Sequence, residues 1–344
     1  MASPLASALG LTLPVLAAPM AGGPGTPALA AAAARAGGLG FLAAGYKSPQ
    51  ALADEVAAAA GTGLPFGVNL FAPNPVPADP GAFRRYADLV APEAQRYGIT
   101  LDAGTPREDD DRWQDKIDIL RAHPVPVISF IFGIPAAKDL AALRATGALL
   151  IQTVTSAGEA AAAAEAGIDA LAVQASAAGA HSATFTPRRP VPEVPLTGLV
   201  AEVRRAVNLP LIAVGGLATP ADVAAAVHAG ADAVAVGTVL LRSNEAGTTA
   251  AHKAALADPA RTTTVLTRAF TGRPARALRN EFIGRYGHLA PFGYPAVHHL
   301  TSPLRKAAAA AGDPERMHLW AGIGFRHATA EPAADILTRL ARQL

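Results

Sequence analysis

The chain has no cysteine, which excludes disulfides, thiolate metal sites and a cysteine nucleophile together. It is also short of charge. Only 16% of its 344 residues are Asp, Glu, Lys or Arg, and the formal net charge is +2. No dense basic run interleaved with aromatics occurs, so nothing points to a nucleic-acid partner. Charge is missing altogether before Arg35. That stretch lacks the basic start of a signal peptide, and Pro14, Pro19, Pro24 and Pro27 interrupt it before a bilayer could be spanned, so it reads as core. No membrane association is expected, and the lack of cysteine agrees with a cytoplasmic location. His-Glu-x-x-His, a nucleophile-elbow serine and a Walker lysine are absent as well.

What is present is apolar residue, 51% of the chain, arranged in a repeated half-unit. "EAAAAAEAGIDALAVQA" (159–175) aligns without a gap with "DVAAAVHAGADAVAVGT" (222–238). "AAAARAGGLGFLAAG" (31–45) and "LRATGALLIQTV" (143–154) follow the same plan. In each, an alanine-rich helix ends at a glycine suited to a left-handed turn. The apolar run after it is continuous, as a strand covered on both faces requires. Such runs fall at 14–20, 39–45, 65–71, 125–132, 148–154, 170–175, 209–215 and 233–240. Helical stretches lie near 27–37, 48–60, 136–146, 156–166, 197–207 and 219–229.

Eight strands in strict alternation with helices predict an α/β fold of the closed (β/α)8 TIM barrel type. An open doubly wound sheet is the competitor, but no Gly-x-Gly-x-x-Gly follows the first strand. Residues 1–71 and 125–241 are assigned to the barrel. Residues 72–124, opening with "APNPVPADPG", and residues 242–330 break the alternation at strand C-termini. They are expected to be cap segments over the C-terminal face, the second contributing to the substrate site. The final segment 331–344, amphipathic over 331–343, is expected to close the outer ring as a helix.

The chemistry gathers at strand ends. Gly215-Gly216 follows the seventh run and Gly237-Thr238 ends the eighth, the two places where barrels commonly bind phosphate. Glycine lets phosphate oxygens reach backbone N–H groups, and a following helix N-terminus adds positive potential. On the other side stand "AAPMAGG" (17–23), Asn69 in "FGVNLF" and Gln174. A buried amide is costly unless paired. Taken singly, each amide could cap a loop; the three strand C-termini together suit the polar edge of a bound heteroaromatic cofactor, with Gly22 and Gly23 admitting its ring. Gln174 opens "QASAAGAH", whose small residues end in His181.

These motifs, with "VGGLATPADVAAAVHAGADAVAVGT", "TGRPARALRN" and "LWAGIG", give a chain that resembles the nitronate monooxygenases, FMN-dependent barrels formerly called 2-nitropropane dioxygenases. The resemblance runs through most of the chain. It implies FMN contacts at Asn69, Gln174, Gly179, Gly216, Ala235, Val236, Gly237 and Thr238, joined by Met20, Gly22 and Gly215 from the strand-end reading. It implies an active-site histidine at His181. The family stretch reads Gln-Gly-x-Glu-Ala-Gly-Gly-His-x-Gly, whereas this chain has Ala175, Ala177, Ala180 and Ser182-Ala183 at the variant positions. The implied reaction is oxidation of alkyl nitronates by dioxygen, with His181 as base or anion stabiliser.

The rival readings are an FMN-dependent, NAD(P)H-linked reductase of the enoyl-acyl-carrier type, and a non-redox barrel holding a phosphorylated metabolite. His298-His299 lack a third ligand at metal-site spacing, so no metal is assigned. Arg273, Arg276 and Arg279 are read as one helical stripe, solvated or at an interface. Asp109-Asp110-Asp111 is read as a solvated helix start. A homodimer through the alanine-rich or arginine-bearing helices is compatible with the sequence.

Overall fold

The computed structural model describes residues 9–344. The strands are β1 (Val15–Ala17), β2 (Gly40–Ala43), β3 (Phe66–Phe71), β4 (Val127–Ile131), β5 (Leu149–Val154), β6 (Ala170–Gln174), β7 (Ala180–His181), β8 (Leu211–Val214), β9 (Ala233–Val236), β10 (Thr264–Thr267) and β11 (Ala275–Leu278). Between and after them come α1 (Pro27–Arg35), α2 (Pro49–Ala60), α3 (Pro80–Gln95), α4 (Trp113–Ala122), α5 (Ala137–Arg144) and α6 (Ala157–Glu165). The chain continues with α7 (Leu196–Ala206), α8 (Pro220–His228), α9 (Ala250–Ala257), α10 (Glu281–Tyr286), α11 (Ala296–Ala310) and α12 (Ala333–Leu340).

Eight strands close in the order β1-β2-β3-β4-β5-β6-β8-β9, with every neighbour parallel. The protein is a (β/α)8 barrel. Each of the eight apolar runs read from the sequence contains one barrel strand. Their continuity has the expected cause: Val68, Leu70, Ile128 and Leu171 pack outward against the helices, while Phe41, Val127, Ile151 and Ile212 fill the interior.

The repeated half-unit also has a physical basis. Gly37, Gly147, Gly167 and Gly230, each following a helix, have φ between +81° and +109°, a region other residues enter only with strain. Just beyond, Asp169 and Asp232 accept from the Leu150 and Leu211 amides at 2.8 and 2.9 Å. The "Gly-x-Asp" that recurs before β6 and β9 therefore stitches each strand to its predecessor. Proline occupies the first turn of α1, α2 and α8, behind Thr26, Ser48 and Thr219 caps, where its missing N–H costs no helical bond.

Outside the barrel, Phe83, Tyr86 and Val90 of α3 share a second apolar cluster with Phe270, Phe282 and Leu300. Glu93 sits within it, accepting from Arg316 at 3.0 Å and Arg285 at 2.6 Å. Helix α12 packs on α1 and β1.

Two readings of charged runs are corrected. Arg273, Arg276 and Arg279 do not share a helix; Arg276 lies on β11, with Arg273 and Arg279 just outside it. The period of three was coincidence in an extended segment, and Arg273 is fully buried rather than solvated. Asp111 is not simply a solvated helix start: it pairs with the buried Lys116 at 2.7 Å.

Close helix–strand approach fixes the barrel wall. A Cβ on Gly40 would lie 2.4 Å from the Ala30 Cα, leaving no room for a side chain between β2 and α1. Gly40→Val is therefore expected to destabilise the protein by about 2–3 kcal/mol, read as a lower urea midpoint at unchanged m-value.

Candidate active site

The C-terminal ends of the strands open into one cavity whose wall includes Met20, Gly22, Asn69, Gln174, Gly179 and His181. Gly215, Gly216, Ala235, Val236, Gly237 and Thr238 complete the set read from the sequence, and all lie on the same wall. Among the described residues that wall carries no Asp, Glu, Lys or Arg.

On the β8–β9 side, Gly215 and Gly216 have φ of +113° and +79°. Neither amide donates to a backbone carbonyl of the described residues. The Thr238 hydroxyl accepts from Gly322 at 2.9 Å, tying the turn after β9 to "LWAGIG". A Cβ on Gly179 would come 2.6 Å from the Gly322 nitrogen, so glycine at 179 is needed for this backbone-to-backbone contact.

On the opposite side, Asn69 donates to the Ser129 hydroxyl at 2.9 Å. Gln174 turns toward its own loop. Its amide oxygen accepts from Ala183 at 2.8 Å and its nitrogen donates to the His181 carbonyl at 3.2 Å. It thereby pins the segment that carries His181, with one amide hydrogen left over.

The His181 segment is not a plain loop. Residues 180–181 form β7, which pairs antiparallel with Ala275 and Arg276 of β11. Arg276 reaches back to the Ser176 carbonyl at 2.6 Å, clamping the small-residue stretch. Ala180, at a position where the family pattern has glycine, holds φ of +63°; the strain of its methyl is tolerated because pairing and clamp over-determine the backbone.

The His181 imidazole is buried, with Nε2 2.9 Å from the Thr271 hydroxyl. Phe132, Tyr294 and Trp320 surround it at ring-centroid distances of 5.5, 5.6 and 5.7 Å. Burial, with the nearby Arg273 and Arg305 charges, pushes its pKa down to about 3. It is neutral at any working pH. Arg273 lies 4.0 Å over the Phe132 ring and donates to the Thr184 carbonyl at 2.5 Å, while its Nε and Nη1 have no partner among the described residues.

The sequence reading missed Tyr46, Phe132, His252, His318 and Trp320, all on the cavity wall. Trp320 lies in the quoted "LWAGIG", but the others stand in turns and helices without periodic signal. His252 Nε2 and His318 Nδ1 are buried without a hydrogen-bond partner among the described residues. His298 stacks face to face on Tyr46 at 3.9 Å, and His299 pairs with Asp109 at 2.8 Å.

A family model describing nitronate monooxygenases matches residues 3–343. The chain belongs to the nitronate monooxygenase family. A probable nitronate monooxygenase of Staphylococcus aureus (strain Newman) is 35% identical over 346 positions, covering 99% of this chain and 96% of that protein. The solved nitroalkane oxidase of Streptomyces ansochromogenes is 46% identical with a TM-score of 0.93, covering 99% of this chain and 98% of that one. FabK of Thermotoga maritima is 28% identical with a TM-score of 0.77, covering 100% and 96%.

Nitronate monooxygenases are flavoproteins, and two features of the wall fit a phosphate-bearing flat cofactor. The unpaired Gly215 and Gly216 amides suit a phosphate in a wall without side-chain cations. A Cβ on Gly22 would meet nothing within 4 Å, so this turn of the wall leaves space beside the cavity. Among the described residues, no helix of this family member is long and apolar enough to cross a membrane.

The buried histidines make stability depend on acid. His181 and His252 are held down to about 3 and 4 from 6.5, so between those values the unfolded chain binds protons that the folded one refuses. Their contribution is complete above pH 6.5 and is lost as pH falls toward 4 and 3. At pH 5 it should have dropped by about 2 kcal/mol per residue. Urea midpoints at pH 7.5 and 5 measure this, and His252→Gln should flatten the dependence.

Proposed function

We propose that this chain binds FMN and oxidises alkyl nitronates with dioxygen, receiving the substrate beside His181. The observation that carries the reading is a single uncharged cavity joining the glycine turns at 215–216 and 237–238 to a buried, neutral imidazole. In this arrangement Gly215, Gly216, Gly237 and Thr238 hold the phosphate. Met20, Gly22, Asn69, Gln174, Gly179, Ala235 and Val236 border the rest of the cofactor. Segments 72–124 and 242–330 act as the cap, with 331–344 closing the barrel. When bound, FMN supplies the electron transfer between nitronate and dioxygen.

The chain's own electrostatics select the ionised substrate. Arg273 is fully buried and Arg305 nearly so, and neither forms an ion pair with a carboxylate among the described residues. Their positive potential behind the wall favours an anion. The same potential makes His181 a poor resting place for a proton, so abstraction from a neutral nitroalkane is disfavoured relative to capture of a preformed nitronate. His181 acts chiefly as a neutral hydrogen-bonding group toward the bound anion.

The second reading is the nicotinamide-linked reductase that the sequence leaves open. Anaerobic mixing separates the two. A small alkyl nitronate should change the flavin absorbance of the purified yellow protein, and NADH or NADPH should not bleach it rapidly. An unmoved spectrum with nitronate and rapid bleaching by nicotinamide would transfer the assignment to the reductase. Colourless protein unable to take up FMN would point instead to the phosphorylated-metabolite barrel.

His181→Asn should keep its FMN content and lose about 10- to 100-fold in kcat/KM on nitronates, the worth of one hydrogen bond to a charged group. The loss should fall on nitronate turnover, with any residual activity on neutral nitroalkanes changing less. Unchanged kcat and KM on both substrate forms would remove His181 from the reaction.

A further inference from the structure

Tyr46 is held in place by more of the molecule than a wall residue needs. It follows β2 with φ of +68°, a conformation costly for an aromatic residue. Its backbone N–H donates to Asp111 at 3.0 Å. Asp111 and Arg112 themselves have φ of +58° and +57°, and Asp111 is fixed by Lys116 at 2.7 Å. Lys116, almost wholly buried, also donates to the Ala44 carbonyl at 3.0 Å. Three strained residues and a buried lysine thus converge on the position of one side chain.

The ring is fixed as firmly. It stacks on His298 at an interplanar angle of 4° and meets the edge of Phe71 at 5.2 Å. His298 is in turn held by Arg305, whose Nη2 lies 3.1 Å from both its Nδ1 and its carbonyl oxygen. The Tyr46 hydroxyl accepts from Tyr294 at 3.3 Å. No acceptor for Tyr46's own proton occurs among the described residues, although buried phenols ordinarily donate. The side chain is on the cavity wall, and Tyr294, its donor, packs against His181.

We propose that Tyr46 is a second substrate-binding residue, its phenolic O–H donating to an oxygen of a small delocalised oxyanion held between it and His181. That the oxyanion is a nitronate rests on the function proposed above; the preference for an oxyanion rests on the spare donor and on the cations behind the wall. Burial raises the Tyr46 pKa well above the ordinary phenol value, so the proton stays available for donation. The donation from Tyr294 polarises the same hydroxyl and strengthens it as a donor. Fixing the phenol before substrate arrives removes the cost of ordering it on binding.

Nitrate, a planar oxyanion that is not a carbon acid, serves as the probe. It is titrated into the FMN-loaded protein against the flavin absorbance, and nitronate kinetics are measured on the same variants. Wild-type protein should bind nitrate. Tyr46→Phe should weaken that binding by roughly 10- to 100-fold, the worth of one hydrogen bond to a charged group. KM for nitronate should rise in parallel, with FMN content and melting temperature retained. Tyr294→Phe, which leaves the Tyr46 proton in place, should lose less.

Equal nitrate affinity in wild type and Tyr46→Phe would overturn the proposal. So would a larger loss in Tyr294→Phe, or wild-type protein that does not bind nitrate. Nitrate binding that depends on Tyr46 in a protein inert toward nitronates would uphold the oxyanion site and overturn the functional reading alone.

Discussion

Val15, Leu16 and Ala17 pair with Val234, Ala235 and Val236, and that short parallel ladder joins the last barrel strand to the first. Closure forces every strand C-terminus onto one rim. Met20, Asn69, Gln174, Gly215 and Gly237 are far apart in the chain, yet each lies in the second half of a barrel strand or within three residues after one, so closing the ring brings them together. An open sheet with the same local structure would spread them along an edge. The close glycine contacts at Gly38 and Gly40 belong to the same constraint, because they let α1 sit tightly enough on β1 and β2 for the ring to close.

Within that rim, charge and polarity are separated by depth. The cavity wall is neutral, and the guanidinium groups of Arg273 and Arg305 lie behind it against Phe132 and His298. Such buried charges are expensive to desolvate, and their persistence without carboxylate partners gives the cavity a positive field. Burial, aided by that field, disfavours the charged forms of His181, His298 and His318. Backbone strain is found in the same region: Tyr46, Phe132 and Ala180 all have positive φ and all line the cavity. Strain of this kind survives where surrounding contacts over-determine the backbone, and here the ion pair at Lys116 and the pairing of β7 with β11 do so.

The barrel was legible because its signals are local. A left-handed glycine after α1, α5, α6 and α8, an aspartate before β6 and β9 that bonds the preceding strand and an apolar run buried on both faces are all set by neighbouring residues, so they repeat visibly in the text. The glycine turns at 215–216 and 237–238 and the loop ending in His181 were legible for the same reason. The arginines were not. Arg273, Arg276 and Arg279 read as a helical stripe because spacing was the only cue, whereas their environment comes from β10 and the strap beyond His181. The role of Gln174 was likewise hidden: whether an amide meets a ligand or its own loop depends on how nine further residues fold back over it.

By itself, then, the sequence determined the strand and helix plan, the positions of backbone openness and the absence of any thiol, since these follow from side-chain size, periodicity and composition. Only the tertiary structure decided that Tyr46, His298 and Arg305 form one stack, that His252 and His318 face the cavity, and that His181 is neutral. Each of those depends on burial and on partners brought from distant segments, and no local pattern encodes the desolvation or the field that a residue meets once the cap has folded over the barrel.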